Sequence, residues 1–599
     1  MVVSSRDPLS PTTSNSSSSL TKILMLGIVI CFVISAIVNL QHVYQEEEAL
    51  YALKTDLQNF AVADKAMDKI VDSFVSDYYK YAYDKPDRNN RQNEEPPERR
   101  LSHLSCAAYG GPADEFAQEM VYWQNISSDE RFVSPFTPPK DQPRKYMTFE
   151  PDGGGWNNIR MAMETVLGLA IAMGRTLVLP PEQRMYLLAK NRGQEKTDFS
   201  FADFFPMHDL ARENDGLHMI TTEQFLNEVA MTGQLRDKNT GEISFPPGNR
   251  TNWNGQDVKL YKEWLRNVTH TPLWSPTQCM AAFPASGNAE DAHILQDMQR
   301  RIHKESLTMR DIILDPPPAV DSSPLDRMRE NLADRKELCV YDEEMQGELV
   351  VHFMCYHKMR VRMLVHFYAF LYFEDWREDL WMKRFMRDHV RYIDEIQCAA
   401  ARIVHAMREY DKSRREDFPG HQMIGTGEFD TFHIRRGDFQ YKRTRIEASE
   451  IYENVRQYIA LNATIYIATD ERDKTFFSDL KKHYDVKFLD DFVDELKGVN
   501  TNFYGMIDQL VASRGRLFFG CWHSTFTGFI HRLRGYHSTN HREPGYEDGL
   551  LPTSYYYVPR ENIDAMHKYA RLHGAYFNRE FPTSWRDLDR SIASLSYSK

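Results

Sequence analysis

The sequence lacks an excess of positive charge, zinc-type cysteine spacing and the common glycine motifs for nucleotides. Its 73 Lys and Arg residues are outnumbered by 86 Asp and Glu residues, and the net charge of −13 argues against a general nucleic-acid binder. No CxxC or Cys/His cluster has zinc spacing. Neither GxGxxG nor a P-loop occurs, which argues against a nucleotide-dependent oxidoreductase. A local basic pocket for an anionic ligand remains compatible with this composition.

One uncharged apolar run is present, from Ile23 to Leu40. Its 18 residues are near the minimum that a helix needs to span a bilayer. A signal-peptide core is the alternative, but the run is longer than usual and no clean small-x-small cleavage site follows it. We therefore expect a transmembrane signal anchor over 23–43, preceded by a disordered cytoplasmic tail at 1–22.

The charges that flank this run predict its orientation. Arg6 and Lys22 precede it and an acidic stretch at 45–48 follows it. The positive flank stays in the cytoplasm, so the bulk of the chain should be lumenal. A span this short suits the thinner membranes of the early secretory pathway. We expect a single-pass type II membrane protein of the Golgi or endoplasmic reticulum.

Cysteines and glycosylation sequons agree with a lumenal location. The cysteines beyond the apolar run are Cys106, Cys279, Cys339, Cys355, Cys398 and Cys521. An oxidising lumen would permit up to three disulfides among them, with the pairing left open. Sequons beyond the run begin at Asn125, Asn249, Asn267 and Asn462.

The pattern of apolar residues predicts two α/β halves. A strand, a glycine turn, an apolar helix and a second strand follow one another from about 145, and the chain from about 429 alternates strands with helices. This predicts two facing Rossmann-like domains with a cleft between them. The predicted segments are a stem and linker at 44–143, an N-terminal domain at 144–410, a C-terminal domain at 411–560 and an extension at 561–599.

The first candidate motif is "DGGGWNNIR" at 152–160. Glycines between a strand and a helix let a ligand approach backbone N–H groups at the helix N-terminus, a position that favours phosphate. The alternative is a plain glycine turn that packs the helix against the strand.

The second candidate motif is "HIRRGD" at 433–438. Strand alternation directs His433 and Arg435 to one side and Arg436 to the other. One arginine can then face a ligand beyond the carboxyl end of the strand while its neighbour braces the loop. The alternative is an ion pair between Arg435 and Asp438.

The third candidate motif is "CWHSTFTGF" at 521–529. Ser524 and Thr525 would open a helix directly after a strand, where hydroxyls and free N–H groups form an anion site. The alternative is ordinary capping by Ser524. Asp508 lies 16 residues earlier and could accept two N–H bonds from a guanine edge; the alternative is an aspartate on a helix surface.

Together and in this order, the three motifs resemble the GDP-fucose protein O-fucosyltransferase family. The resemblance covers about 145 to 560 and is closest in its motifs to the thrombospondin-repeat type. It implies a GT-B fold, GDP-fucose bound in the interdomain cleft and inversion of the anomeric carbon without a metal or other cofactor. The single D-x-D, Asp587 to Asp589, is expected in a tail beyond the fold, so we expect no metal site there.

The resemblance also implies residue roles. Arg435 would be catalytic, because it matches the arginine that contacts the β-phosphate side and the glycosidic oxygen. His433 and Asp508 would recognise guanine. The donor-binding residues that it implies are Gly154, Gly155, Asn157, His433, Asp438, Asp508, Ser524, Thr525 and Phe526. Asp470 is expected to be structural.

One departure from the family concerns the base. The thrombospondin-repeat type has a glutamate three residues before the loop asparagine, and Gly154 stands there in this chain. Asp152 is the candidate base nearby. The other readings are a different base, a dissociative path in which the departing phosphate accepts the proton, or a different acceptor.

The expected function is transfer of L-fucose from GDP-fucose to Ser or Thr of a protein. Two alternatives remain open. The acceptor could be a glycan, or the chain could be a catalytically silent GDP-sugar-binding protein. Retention of His433, Arg435, Asp508, Ser524 and Phe526 argues against the silent protein.

Overall fold

The computed structural model describes residues 101–592, except 140, 187, 189–196, 307–317, 358–359, 438 and 570–575. The predicted tail and signal anchor, and the predicted stem up to residue 100, lie outside the described residues. Among the residues that are described, no helix combines the length and the apolar character needed to cross a membrane.

The described strands form three sheets, and every strand pairing in them is parallel. The strands are β1 Tyr146–Phe149, β2 Thr176–Leu179, β3 Met219–Thr221, β4 Cys279–Phe283, β5 Glu337–Val340, β6 Val350–Phe353, β7 Leu371–Phe373, β8 Asp430–Ile434, β9 Thr464–Thr469, β10 Asp485–Lys487, β11 Phe518–Cys521 and β12 Ser554–Tyr557. Their orders are β3-β2-β1-β6, β10-β9-β8-β11-β12 and β5-β4-β7. The predicted α/β class with parallel sheets is confirmed.

The longer helices connect these strands and cover their faces. They are α1 Trp156–Ala172, α2 Val258–Val268, α3 Ala292–Glu305, α4 Pro324–Leu332, α5 Trp376–Asp388, α6 Asp394–Ser413, α7 Ala448–Val455, α8 Tyr504–Ser513 and α9 Thr525–His541. The shorter ones are Asp114–Ala117, Met207–Arg212, Thr222–Phe225, Leu226–Ala230, Glu343–Gly347, Phe367–Phe370 and Ser478–Lys481. Nearly every residue of α1 is buried, because the helix is mostly apolar and its buried charges, Arg160 and Glu164, pair with each other.

The five-stranded sheet follows the predicted alternation of strands and helices closely. Its central strands are rich in aromatic and β-branched residues, which suit a sheet that is covered on both faces. Phe432, Ile465 and Phe519 come from three neighbouring strands and are at most 1% exposed. This sheet carries the second and third candidate motifs at its carboxyl edge.

The sheet β5-β4-β7 was not predicted. Its strands are short and far apart in sequence, so no local alternation indicates their pairing. A disulfide joins Cys279 at the start of β4 to Cys339 in β5. An irregular segment at 360–366 and the short helix Phe367–Phe370 lead into β7.

Two terminal segments belong to the folded core. Residues 101–139 contribute Leu104 and Trp123 to the apolar core, and Cys106 is joined to Cys398 of α6. Folded structure therefore begins before the predicted boundary at 144. At the other end, Trp585 and Leu588 are at most 1% exposed.

The expectation that Asp587 and Asp589 lie beyond the fold is therefore wrong. Trp585 packs onto α9 at Gly535, where an added Cβ would lie 2.3 Å from the indole Cγ. The indole Nε1 donates to the Gly549 carbonyl at 2.8 Å. Burial of a large aromatic ring holds this tail against the core.

A buried ionic cluster joins α1 to α9 and to the C-terminal segment. Arg532 donates to both oxygens of Glu164 at 2.8 Å, and Arg160 also pairs with Glu164. The Arg532 Nε lies 3.5 Å from Glu580, which accepts a 2.6 Å hydrogen bond from the Tyr368 hydroxyl. Each of these charged side chains is at most 4% exposed, so each charge depends on its partners.

Candidate active site

Each of the two larger sheets has a point where the order of its strands reverses. In the five-stranded sheet, β9 and β11 lie on opposite sides of β8, and in the four-stranded sheet β2 and β6 flank β1. Ligands of open α/β sheets bind beyond the carboxyl ends of strands at such switch points. The glycine motif follows β1, the arginine motif follows β8 and the serine motif follows β11.

The two switch points meet through hydrogen bonds between the predicted motifs. The Thr525 hydroxyl donates to Asn158 Oδ1 at 3.1 Å. Gln509 Nε2, from the helix that carries Asp508, donates to Asn157 Oδ1 at 2.8 Å. Residues of the glycine motif, the serine motif and α8 therefore meet at one location.

Neighbouring side chains crowd the position of Gly154 in the glycine motif. A Cβ there would lie 2.5 Å from Asn158 Nδ2 and 2.8 Å from Asp152 Oδ1. The Gly154 N–H itself donates to Asp152 Oδ1 at 2.8 Å, and Gly155 forms the N-cap of α1. A glutamate at this position, which the family resemblance would put there, would therefore require the Asn158 and Asp152 side chains to move.

Asp152 is held by an arginine. Arg362 donates from Nε and Nη2 to its two carboxylate oxygens, each at 2.7 Å, and the Asp152 side chain is 1% exposed. Both oxygens of this carboxylate are engaged by one guanidinium, which fixes the carboxylate against the loop. The geometry favours a role for Asp152 in bracing the glycine loop.

Glu150 is held in the same way, just before the loop. Arg266 donates to its two oxygens at 2.6 and 2.7 Å, and His352 Nε2 lies 3.2 Å away. Burial opposes ionisation of this carboxyl, but the hydrogen bonds from His352 and Arg266 prevail and lower the pKa of Glu150 to about 2. Glu150 is therefore an ion-paired anion at neutral pH.

His433 is buried at the end of β8 and faces the start of α9. Its Nδ1 lies 2.6 Å from the Thr527 hydroxyl, and its ring stacks on Phe526 with centroids 4.3 Å apart. Burial and the nearby charge of Arg435 lower the pKa of His433 to about 3. The imidazole is therefore neutral at physiological pH and can form hydrogen bonds to a neutral base.

The two adjacent arginines have different neighbours, as the strand alternation predicts. The Arg435 guanidinium lies over Phe439 at 5.1 Å, and its Nε is 3.4 Å from Asp470. Arg436 instead packs on Phe476 at 3.8 Å. Each arginine is held by an aromatic face and keeps part of its side chain exposed.

Asp470, which was expected to be structural, caps this turn. Its Oδ1 accepts the N–H groups of Arg436 and Gly437 at 2.7 and 3.1 Å. Burial opposes the charge, but these N–H groups and Arg435 lower the pKa of Asp470. The predicted alternative, an ion pair of Arg435 with Asp438, involves a residue outside the described part of the chain.

The serine motif opens the 17-residue helix α9. Ser524 is the N-cap residue, but its hydroxyl makes no capping hydrogen bond, which argues against ordinary capping as its role. Within the described residues that hydroxyl has no hydrogen-bond partner, although the residue is 3% exposed. The hydroxyl and the unbonded N–H groups of the first turn are therefore available to an anion.

Asp508 lies half-buried on α8 rather than on an exposed helix surface. The Tyr466 hydroxyl donates to its Oδ1 at 2.5 Å. Burial raises the pKa of Asp508 to about 7. The carboxyl can therefore change its charge near neutral pH.

The functional residues that the sequence analysis missed are polar side chains in apolar surroundings. Gln509 and Tyr392 are at most 2% exposed and are hydrogen-bonded to each other, and Arg362 lies outside any motif. A glutamine inside the apolar helix "MIDQLVAS" is a signal that could have indicated Gln509. Nothing local in the sequence marks Arg362, because it follows an irregular loop.

Among the described residues, no group of three or more His, Cys, Asp or Glu side chains is arranged to hold a metal ion. The described cysteines outside the two disulfides are Cys355 and Cys521. Burial raises the pKa of the Cys355 thiol to about 11, so this thiol is not a reactive thiolate.

Comparison with solved structures finds similar folds at low identity. One is POFUT1 in complex with GDP, at 13% identity and a TM-score of 0.28, covering 69% of this chain and 99% of that chain. Another is the fucosyltransferase NodZ from Bradyrhizobium, at 13% identity and a TM-score of 0.27, covering 65% and 94%. Values this low support no inference about substrate or residue roles. No curated protein matches the chain.

A protein-family model also matches most of the chain. The family model described as GDP-fucose protein O-fucosyltransferase matches residues 146–537, which is well over half of the chain. The match runs from β1 to the last turns of α9 and includes all three candidate motifs. The chain belongs to the GDP-fucose protein O-fucosyltransferase family and is a glycosyltransferase.

Proposed function

We propose that this chain is an inverting, metal-independent fucosyltransferase with a GT-B fold that transfers L-fucose from GDP-fucose to Ser or Thr of a protein. The observation that carries the proposal is the meeting of the two switch points, at which Thr525 and Gln509 contact the asparagines of the glycine loop. A nucleotide sugar bound there would have its base beside His433 and its diphosphate beside the start of α9.

In the proposed reaction an acceptor hydroxyl oxygen attacks C1 of fucose from the face opposite GDP. The bond from C1 to the β-phosphate oxygen breaks, and GDP leaves with the electron pair. Arg435 and the N–H groups at the start of α9 stabilise the negative charge that develops on that oxygen. In this scheme Arg435 supplies the positive charge that a metal provides in other transferases.

A group must accept the proton that the acceptor hydroxyl releases. Asp152 and Glu150 are both paired with arginines, and Gly154 stands where the family resemblance would put a glutamate. We therefore favour the departing phosphate as the proton acceptor, in a dissociative path. Gly154 at the expected glutamate position also keeps a glycan acceptor as a second candidate. The residues expected to meet the acceptor there depart from the family pattern.

A donor screen tests the proposal. The full-length protein is incubated with GDP-fucose, GDP-mannose and UDP-sugars, and nucleotide release is measured with and without acceptor. The proposal expects release from GDP-fucose above the other donors, stimulated by a protein acceptor. Stimulation only by a glycan would favour the second candidate. GDP binding without turnover of GDP-fucose would favour a silent binding protein.

We also propose a lumenal, membrane-anchored location in the Golgi or endoplasmic reticulum, with one transmembrane helix at 23–43. Two disulfides and the exposure of all four sequon asparagines support it. In secretory cells, treatment with an N-glycosidase should lower the apparent mass of the protein. An unchanged mass together with protease sensitivity in intact microsomes would contradict this location.

A further inference from the structure

A chain of buried hydrogen bonds runs from the first residue of α1 through Tyr392, which precedes α6, to Gln509 of α8 and returns to Asn157 of α1. Trp156 Nε1 donates to the Tyr392 hydroxyl at 3.1 Å, and that hydroxyl donates to Gln509 Oε1 at 3.0 Å. Gln509 Nε2 then donates to Asn157 Oδ1 at 2.8 Å and to the Phe526 carbonyl at 3.3 Å. Trp156, Tyr392, Gln509 and Asn157 are each at most 8% exposed.

The direction of this chain is determined by the chemistry at its two ends. An indole N–H can only donate, so the Tyr392 oxygen accepts and its own proton goes to Gln509. A backbone carbonyl can only accept, so the nitrogen of the Gln509 amide faces Phe526. The Trp156 indole and the Phe526 carbonyl therefore require the same orientation of the Gln509 amide. Hydrogen bonding, rather than shape, assigns its nitrogen and oxygen.

The orientation of Asn157 follows from that of Gln509. Gln509 presents an N–H to it, so the Asn157 oxygen faces inward and its NH₂ group faces the opposite way. Within the described residues, that NH₂ group makes no hydrogen bond. Its nitrogen is not one of the fully buried, unpaired polar atoms. Two N–H donors therefore point from the glycine loop toward solvent at the switch point.

We propose that Gln509 is a positioning residue that holds the Asn157 amide with its NH₂ group toward the donor. This inference rests on the proposed function. The reversed amide would present a carbonyl oxygen to the anionic diphosphate or to the sugar oxygens, which repel it. Gln509 acts through Asn157 and does not itself contact the donor.

The main variant is Gln509→Met, which keeps the size of the side chain and removes both N–H donors. We expect kcat for GDP-fucose to fall at least tenfold while the Kd for guanosine, which lacks the diphosphate, stays within about threefold, because the guanine contacts are untouched. Tyr392→Phe should lower kcat less, because the Phe526 carbonyl still orients the Gln509 amide. Ser513→Ala is the matched control, since Ser513 is buried on the same helix and its hydroxyl donates to the Leu510 carbonyl, outside the Gln509 chain.

A double-mutant cycle separates positioning from general packing. In an Asn157→Ala background, Gln509→Met should lower kcat less than about twofold, because its effect passes through the missing amide. Equal losses in both backgrounds would overturn the proposal, as would wild-type kcat in a folded Gln509→Met protein.

A second measurement does not depend on turnover. In protein labelled with ¹⁵N-asparagine, the side-chain NH₂ resonance of Asn157 is assigned by its loss in Asn157→Ala. Rapid exchange of these protons with water in the wild type supports the outward orientation. Protection from exchange would overturn the proposal even if the enzyme turns over GDP-fucose. If GDP-fucose is not turned over, the proposed function fails while this measurement still decides the orientation.

Discussion

The two switch points differ in how their charged side chains are used. Beyond β1, Asp152 and Glu150 are each locked in a bidentate pair with an arginine. Beyond β8 and β11, the Ser524 hydroxyl has no partner within the described residues, and Arg435 keeps part of its side chain exposed. In the proposed reaction, an unpaired hydroxyl lies on the side of the leaving group, whereas the two carboxylates described beside the glycine motif are both engaged by arginines.

The largest effect is expected at Arg435. Arg435→Ala should lower the turnover of GDP-fucose at least a hundredfold, since loss of one such donor costs about 3 kcal/mol of transition-state stabilisation. The melting temperature should stay close to that of the wild type, because the side chain is partly exposed. Arg436→Ala is the neighbouring control and should lose less activity. Wild-type turnover in Arg435→Ala would contradict the role of Arg435 in stabilising the leaving group.

The next effect distinguishes bracing from base catalysis at Asp152. If Asp152 only braces the glycine loop, Asp152→Asn and Arg362→Met should both lower kcat by roughly ten- to a hundredfold through misplacement of the loop. If Asp152 is the base, Asp152→Asn should abolish turnover whereas Arg362→Met should retain most of it. Steady-state rates of the two variants at several pH values provide the comparison.

A smaller effect concerns recognition of guanine and pH. Asp508 must be ionised to accept two N–H bonds, and its pKa in the free protein is about 7. The apparent affinity for GDP should therefore fall about tenfold between pH 8 and pH 6, in proportion to the ionised fraction. Calorimetry of GDP binding measures this change. Asp508→Asn should flatten the pH dependence; an unchanged slope in that variant would assign the titration to another group.

The smallest effect is on stability. The folded-state pKa of Asp508 is raised, so its contribution is present below its unfolded value and is lost as pH rises through about 7. Asp508→Asn should therefore raise the melting temperature more at pH 8 than at pH 5. Differential scanning fluorimetry without ligand is sufficient. An equal shift at both pH values would mean that the carboxyl does not titrate between them.

Much of the five-stranded sheet and its motifs could be predicted, because local signals coincide there. Alternating apolar strands, helices and turns lie next to one another in sequence, and parallel pairing brings their carboxyl ends together. The "HIRRGD" and "STF" segments stand directly after strands, so their place at the sheet edge follows from the chain order.

The pairs formed across long sequence distances could not be predicted. Arg362 reaches Asp152, and Gln509 reaches Asn157, only after the whole domain has folded. The sheet β5-β4-β7 has the same origin, since β7 joins strands far from it in sequence. Burial of Trp585 could not be predicted either, because its site is created by the absence of a side chain at Gly535.

The buried cluster of Glu164, Arg532 and Glu580 has a consequence for how this family varies between species. Removal of one charge leaves its partners as unpaired buried charges, which strongly lowers the stability of the fold. Replacement of the whole set by apolar residues can be tolerated. Substitutions at these positions and at Arg160, which also pairs with Glu164, should therefore occur jointly among related sequences. Such joint change would mark the C-terminal segment as an inherited part of the enzyme core and would help to align distant relatives beyond the end of α9.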